Sequence, residues 1–395
     1  MDIWDLNLRH LAAIARIAEL GTMSAAAQAV NLTQPAITQA LERIESLTST
    51  QLFERRHNGM VPTDAARLLV PRIEAALAHI ATPHVTMSRM RALLALADSG
   101  SYNGARARTG LSLPSLHRAV NDLALSLRKP LVERRGKVVI LTESGAALAR
   151  AFRLARVELA AGLAELEALR GHETRSIAIG AMPLSRARVL PAAIARFLKR
   201  HPQVRVSIVE GSRAELVEPL RNGVIDCMVG ALRDPLVEPD LVQQALFSDM
   251  PAIIARSGHP LQGLRPGPAD LASFPWIVAG PGAPLRDSFE QMFRAAGIPP
   301  PAVPIESGSV MIIRQLLIDS DFLTLLSLDQ VAVELEAGWL TALCAAPIGL
   351  ERTIGVTTRA SWRPTAVQAE FLADLAGVAS KCAAPGGDGT AIFPI

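Results

Sequence analysis

Apolar residues recur at helical spacing through the first part of the chain and then give way to alternating strand-like and helix-like runs. Leu6, Ile14, Ile17 and Leu20 form the first stripe, closed by Gly21. The alanine-rich segment from Ser24 to Val30 predicts a short helix able to pack closely. Asn31-Leu32-Thr33 predicts a turn, with Thr33 as N-cap and Pro35 in the first turn of a third helix. That helix turns Ile37, Leu41, Ile44 and Leu47 inward and Gln34, Thr38, Gln39 and Glu42 outward. Leu52 to Val61 reads as a hairpin turning at Asn58-Gly59. A fourth helix, from Thr63 to Ala81, carries Leu69, Ile73, Leu77 and Ile80 and stops before Pro83.

The same order occurs twice. Residues 8–71 align without a gap on residues 87–150 at an offset of 79. Gly21 falls on Gly100, Ala26 on Ala105, Leu32 on Leu111, Pro35 on Pro114 and Ala40 on Ala119. Leu52, Glu54, Arg55 and Arg56 fall on Leu131, Glu133, Arg134 and Arg135, and Thr63 on Thr142. Few positions are identical, so the repeat rests on their order and constant spacing.

Three helices and a hairpin in this order match helix-turn-helix geometry, in which one helix crosses the DNA backbone and the next enters the major groove. Thr and Gln near the start of a reading helix can donate and accept at base edges. Hairpin arginines are placed for phosphates or the minor groove. The candidate DNA-binding residues of copy one are Ser24, Thr33, Gln34, Pro35, Thr38, Gln39, Arg43, Arg55, Arg56 and Asn58. Those of copy two are Ser112, Ser115, His117, Arg118, Arg134, Arg135 and Lys137. A small helical domain with a solvated charged loop is the plainer alternative, and repetition of the full order weighs against it.

These residues resemble the DNA-binding domain of LysR-type transcriptional regulators. Copy one carries the resemblance in Gly21-Thr22-Met23-Ser24-Ala25-Ala26, Thr33-Gln34-Pro35-Ala36-Ile37-Thr38 and Leu52-Phe53-Glu54-Arg55. Copy two carries it in Gly100-Ser101-Tyr102-Asn103-Gly104-Ala105, Leu131-Val132-Glu133-Arg134 and Leu141-Thr142-Glu143-Ser144-Gly145. One copy is the family plan, and two depart from it. Copy one keeps the family's recognition residues but has Ser49 and Ala66 where glycines are usual. Copy two keeps Gly145 but has Leu113 and Ser115 where Gln and Ala are usual.

Charge divides the other way. Residues 1–86 hold 7 Lys/Arg and 8 Asp/Glu, a net of −1, and residues 87–170 hold 14 and 7, a net of +7. Phosphate attraction supplies most non-specific affinity, so copy two is expected to contribute more of it. Both copies are therefore expected to touch DNA with different tasks. The alternative is a sensor with one reading head and a second head used for packing or dimerisation.

The resemblance also implies a long helix after the hairpin that pairs with its counterpart in a second subunit. Leu148, Phe152, Ala155, Leu159, Leu163, Leu166 and Leu169 mark such a helix from about Glu143 to Arg170. Because residues 63–81 give copy one a shorter counterpart, the two copies of one chain are expected to pair through these helices.

From Arg175 the pattern becomes α/β. Strands are expected at Ser176–Ala181, Val204–Glu210, Ile225–Gly230, Trp276–Ala279, Val303–Glu306 and Phe322–Leu325. Helices are expected at Leu184–Arg200, Ala214–Asn222, Leu285–Ala296 and Val310–Asp319, in two parallel-sheet lobes. Arg196-Phe197-Leu198-Lys199-Arg200-His201-Pro202 and Ile225-Asp226-Cys227-Met228-Val229-Gly230 resemble the effector-binding domain of the same family, which is similar to periplasmic binding proteins. Ligands of such domains lie at the C-terminal ends of strands. The candidate effector-binding residues are accordingly Met182, Pro183, Ser185, Gly211, Ser212, Gly280, Pro281, Ser307 and Ser309. Ser185, Ser212 and Ser309 are expected to begin helices, where free amides favour an anion such as a carboxylate; an ordinary N-cap is the better reading of any one of them alone, and their recurrence at several cleft-facing turns favours binding. Arg233 and Arg286 are candidate counter-charges.

The fold class expected is multidomain: two all-α/winged helix-turn-helix domains, a linker helix and a two-lobed α/β periplasmic-binding-protein-like effector domain. The boundaries read as residues 1–82, 83–142, 143–172 and 173–383, with a glycine-rich flexible tail at 384–395. Length accommodates this plan, and the overall charge of +3 hides the basic second copy. The amino-terminal residues have no signal-peptide pattern, and no apolar run is long enough to span a membrane, so a cytoplasmic protein is expected. Cys227, Cys344 and Cys382 lack metal spacing, and the histidines form no zinc motif. No nucleophile elbow, P-loop, dinucleotide-binding glycine pattern or acid–base pair points to an enzyme. The partners expected are double-stranded promoter DNA, a small-molecule effector and further copies of the chain, as a dimer or tetramer. No cofactor, metal or membrane partner is expected.

Overall fold

The computed structural model describes residues 2–57, 59–81, 85–136, 138–171, 176–345 and 351–383, which form two compact units, Met1–Arg175 and Ser176–Ile395. Asn58, Lys137, the side chains of Arg135 and Cys382, and the expected tail lie outside what is described.

The first unit contains α1 (Leu8–Leu20), α2 (Met23–Ala29), α3 (Gln34–Thr48), β1 (Phe53–Arg56), β2 (Gly59–Pro62) and α4 (Asp64–Ile80). The order then repeats as α5 (Met87–Ser99), α6 (Tyr102–Thr109), α7 (Leu113–Leu127), β3 (Val132–Arg135), β4 (Val138–Leu141) and α8 (Glu143–Leu169). Local chemistry sets these boundaries twice. Asn7, Thr22, Thr33 and Thr63 each accept a backbone N–H at a helix start, and Thr86, Ser101, Ser112 and Thr142 do so at the offset of 79. Gly21 and Gly100 end the first helices in left-handed conformation, with φ of 70° and 64°.

The hairpins differ from the expected turn. Arg56 pairs with Gly59, so Gly59 belongs to β2 rather than to the turn. Its φ of +129° and the nearness of the Gly21 carbonyl, 2.4 Å from where a Cβ would stand, require glycine there. The adjacent Met60 N–H donates to the Gly21 carbonyl at 2.7 Å, tying the wing to α1. Copy two has Val138 at that position, and Gly136 (φ 64°) carries its turn. No counterpart of the Met60–Gly21 bond occurs there among the described residues.

One hydrophobic core runs through both copies. It joins Ile14 and Ile17 of α1, Leu69 and Ile73 of α4, Met90 and Leu93 of α5, and Phe152 and Leu159 of α8. Helices α4 and α8 face each other across it. Arg72, with 6% of its side chain exposed, donates to Glu158 at 3.0 Å and to Glu165 at 3.2 and 2.8 Å. Burial works against the guanidinium charge, but the bonds and charges of Glu165 and Glu158 outweigh it and hold the pKa above its ordinary value.

The second unit has two lobes, each built on a five-stranded sheet. Its elements are β5 (Ser176–Ala181), α9 (Val189–Arg200), β6 (Arg205–Glu210), α10 (Arg213–Arg221), β7 (Cys227–Ala231), β8 (Leu241–Asp249), β9 (Pro251–Arg256), α11 (Pro268–Ala272), β10 (Trp276–Val278), α12 (Pro284–Ala295), β11 (Ile305–Glu306), α13 (Val310–Ile318), β12 (Leu323–Ser327), α14 (Ala332–Glu336), β13 (Leu340–Ala345), β14 (Arg352–Arg359) and α15 (Ala366–Ala383). The sheet orders are β6-β5-β7-β14-β8 and β11-β10-β12-β9-β13. The first three strands of each are parallel, but β14 and β8, like β9 and β13, run antiparallel to their neighbours, so the expected all-parallel lobes are mixed. The chain crosses between lobes at Met250 and returns between β13 and β14. Helix α9 starts at Val189, later than expected, because Pro183–Arg186 forms a separate 3-10 turn. Cys227 is fully buried, and that burial pushes its thiol up to about 12, which leaves it unreactive.

Candidate nucleic-acid interface and effector cleft

In copy one, α3 presents the expected polar face. Gln34, Pro35, Gln39 and Arg43 are exposed, and Thr38 is half-buried with its hydroxyl donating to the Gln34 carbonyl at 3.2 Å. Thr33 is spent on the cap, accepting the Ala36 N–H. Ser24 is exposed on α2, whose cap is Thr22. On the wing, Arg55 and Arg56 are exposed, and Arg56 is paired with Glu54 at 2.7 Å.

Copy two is more self-engaged. Ser112 caps α7, and its hydroxyl also lies 2.8 Å from that of Ser115. His117 stacks on Tyr102 of α6, with ring centroids 3.6 Å apart, so its ring is partly withdrawn from the surface. Arg118 and Arg134 are exposed. Ser115 and Arg118 line a groove of about 980 Å³ at the seam between the copies, opposite Asn7 and Arg9 of copy one.

Where the first helix of each copy meets its reading helix, the two copies differ in charge. In copy two Arg89 bonds Asp122 at 2.9 Å. The corresponding residues of copy one are His10 and Arg43. Burial and then the charge of Arg43 hold the His10 pKa below its ordinary value, and its Nδ1 has no partner.

In the second unit a cleft of about 820 Å³ opens at the carboxyl ends of β5, β6, β7, β10 and β11. Of the expected residues, Met182, Pro183, Ser212, Gly280, Pro281 and Ser307 line it. Ser185, Gly211 and Ser309 do not. Ser185 is buried within the 3-10 turn and donates to the Met182 carbonyl at 2.9 Å, so it begins no helix. Ser212 is consumed in a capping box with Glu215. Ser309 precedes α13 without making a side-chain cap, and Ala283 likewise starts α12 uncapped. The first-turn amides of both helices are therefore free of side-chain caps. Arg286 is tied to Glu290 and Glu306, each at 2.9 Å, and is not part of the lining, whereas Arg233 is.

Two lining arginines escaped the sequence reading. Arg213 bonds Glu238 at 2.7 Å, and Arg352 bonds Asp249 at 2.6 Å. Each keeps one buried guanidinium nitrogen without a partner, Nη1 in Arg213 and Nη2 in Arg352. A buried unpaired donor is costly, and an anion in the cleft would satisfy it. The rest of the wall is largely apolar, including Leu184, Val217, Leu285, Ile313 and Leu326. Among the described residues no cluster suited to a metal ion occurs, and no helix is long and apolar enough to cross a membrane.

The comparisons with known proteins agree with this anatomy. The model described as "Bacterial regulatory helix-turn-helix protein, lysR family" matches twice, at residues 8–67 and 87–146, and "LysR substrate binding domain" matches residues 170–379. The "HTH-type transcriptional regulator GalR" of Pseudomonas putida is 32% identical over 372 residues, covering 91% of this chain and 94% of the relative. The "Uncharacterized HTH-type transcriptional regulator YdcI" of Escherichia coli is 23% identical, covering 90% of both. Full-length LysG of Corynebacterium glutamicum, solved with bound effector Arg, is similar in fold at a TM-score of 0.56 and 19% identity, over 74% of this chain and 97% of that one. CbnR complexed with its target DNA gives 0.52 and 18%, over 74% and 98%. The chain is no enzyme but a DNA-binding transcriptional regulator with an effector domain, and it belongs to the LysR family.

Proposed function

We propose that both heads contact promoter DNA, with copy one reading bases through Gln34, Thr38 and Gln39, and copy two supplying most of the phosphate attraction. The observation that carries this reading is the division of labour on the surface: an exposed polar face on α3 in a copy of net charge −1, beside a copy of net charge +7. The stacking of His117 on Tyr102 favours a second reading, in which copy two anchors without reading bases. Effector binding in the cleft shifts the balance between lobe arrangements to the extent that the ligand prefers one of them. The unpaired nitrogens of Arg213 and Arg352 and the uncapped helix starts support an anionic effector, such as a carboxylate. The regulator works in the cytoplasm as a homo-oligomer.

The test is a footprint on the fragment upstream of its own gene. A protected region longer than that of a regulator with one head per chain is expected. Protection no longer than that would overturn the tandem reading.

A further inference from the structure

We propose that a single chain is a complete reader of a two-part, non-palindromic DNA site. The inference rests on the reading that the heads bind DNA, and it adds that their pairing occurs within one chain and joins unlike faces. Helices α4 and α8 bury their apolar stripes against each other, so neither is left needing a partner from a second subunit. The polar groups at this interface are also satisfied internally. The buried Arg72 guanidinium reaches both Glu158 and Glu165 across the copies. Gly162 provides the notch that lets the helices approach. A Cβ there would stand 2.9 Å from the Leu69 Cδ1 and 3.1 Å from the Arg72 Cβ. At the other end of α8, Arg170 donates to the Thr48 carbonyl at the end of the reading helix of copy one. The short connection from Ile80 to Met87 keeps the copies together, which makes the association intramolecular.

A dimer of identical heads carries two-fold symmetry and reads a palindrome. The pair in this chain has unlike faces. Gln34 and Gln39 on α3 stand where α7 has Leu113 and Arg118, and their donor and acceptor patterns cannot select the same bases. The fused heads therefore specify two different half-sites at one fixed spacing.

Two measurements on the full-length protein test this. In the first, Leu69→Cys/Gly162→Cys is introduced in a chain whose three native cysteines are serine, and oxidised. Pairing within the chain yields a cross-linked monomer, and a covalent dimer overturns the proposal. Trp4→Cys/Arg91→Cys bridged by a bismaleimide repeats the test at a less buried seam between the copies, where the Arg91 guanidinium carbon lies 5.9 Å from the Trp4 ring centroid. In the second, wild type selects from a random duplex library. Two dissimilar motifs at fixed spacing are expected, with Gln34→Ala/Gln39→Ala erasing the first and Arg118→Ala weakening the second by about tenfold or more. Selection of a single motif repeated as a palindrome, with no second motif beside it, overturns the proposal while leaving DNA reading intact. A cross-linked monomer that enriches no duplex overturns DNA reading itself, and the proposal with it.

Discussion

Replacing Arg72 with methionine isolates what holds the two heads together. Methionine keeps helix propensity and most of the apolar stem, but it leaves Glu158 (6% exposed) and Glu165 (13% exposed) facing each other without their cation. Removing one partner of a buried ion cluster costs about 3–5 kcal/mol, because the remaining charge has neither water nor a counter-ion. That is a large share of the ~5–15 kcal/mol available to a domain. The readout is hydrogen exchange of peptides from α4 and α8 in the full-length protein. At ~1.4 kcal/mol per tenfold, amides that exchange by opening of this interface should speed up by about a hundredfold to a few thousandfold. Arg72→Met/Glu158→Met/Glu165→Met should recover wild-type protection or exceed it, since apolar replacement of a buried ion cluster is often neutral or stabilising. Exchange of the single variant within threefold of wild type, with helicity unchanged, would refute the reasoning.

Three further outcomes follow from the same structure. His10 has a folded pKa below its unfolded value, so the unfolded state binds more protons as pH falls. The stability of the first unit should decline below about pH 6.5 and level off once the folded state is protonated. His10→Arg/Arg43→Asp, which installs the pair that Arg89 and Asp122 make in copy two, should abolish that slope in thermal melts between pH 5.5 and 7.5. Gly145→Ala places a Cβ 1.9 Å from the Leu131 carbonyl oxygen and should destabilise copy two by about 1–3 kcal/mol, as read by hydrogen exchange of β3 and β4, while copy one keeps its protection. In a thermal-shift screen of small carboxylates, Arg213→Gln should lower the affinity of any stabilising ligand about tenfold to a hundredfold, the worth of one hydrogen bond to a charged group. Unchanged affinity would remove Arg213 from the site.

The heads were largely legible because their signals are local. Thr33 and Pro35 open α3 as expected, and Gly21 and Gly100 close the helices they follow. The stripe from Leu148 to Leu169 marks α8 from local spacing alone. What escaped depends on contacts distant in sequence. Gly59 looked like a turn residue, but its role is set by the carbonyl of Gly21 on another element. The stripe of Leu190, Ile194 and Phe197 predicts a helix from Leu184 with Ser185 at its start, whereas Pro183–Arg186 forms a separate 3-10 turn and the helix begins at Val189. Arg352 reaches the cleft from β14, far along the chain from Met182 and Ser212, and no local pattern marks it. For the same reason the antiparallel strands β8, β9, β13 and β14 were not read, nor was α15. Arg72, Glu158 and Glu165 look like ordinary surface charges until α4 and α8 are brought together.

The most direct test of the central claim is a gel shift over a salt series with the fragment upstream of the gene, comparing wild type with Gln34→Ala/Thr38→Ala and with His117→Ala/Arg118→Ala. The two-head account predicts that each pair lowers preference for the specific fragment, the first by removing what copy one reads and the second by removing what copy two reads. The second pair should weaken binding and flatten the salt slope by about one phosphate contact, ~0.9 in log–log units. Full affinity and an unchanged slope in the second variant would contradict it, leaving copy two no part in holding DNA through α7.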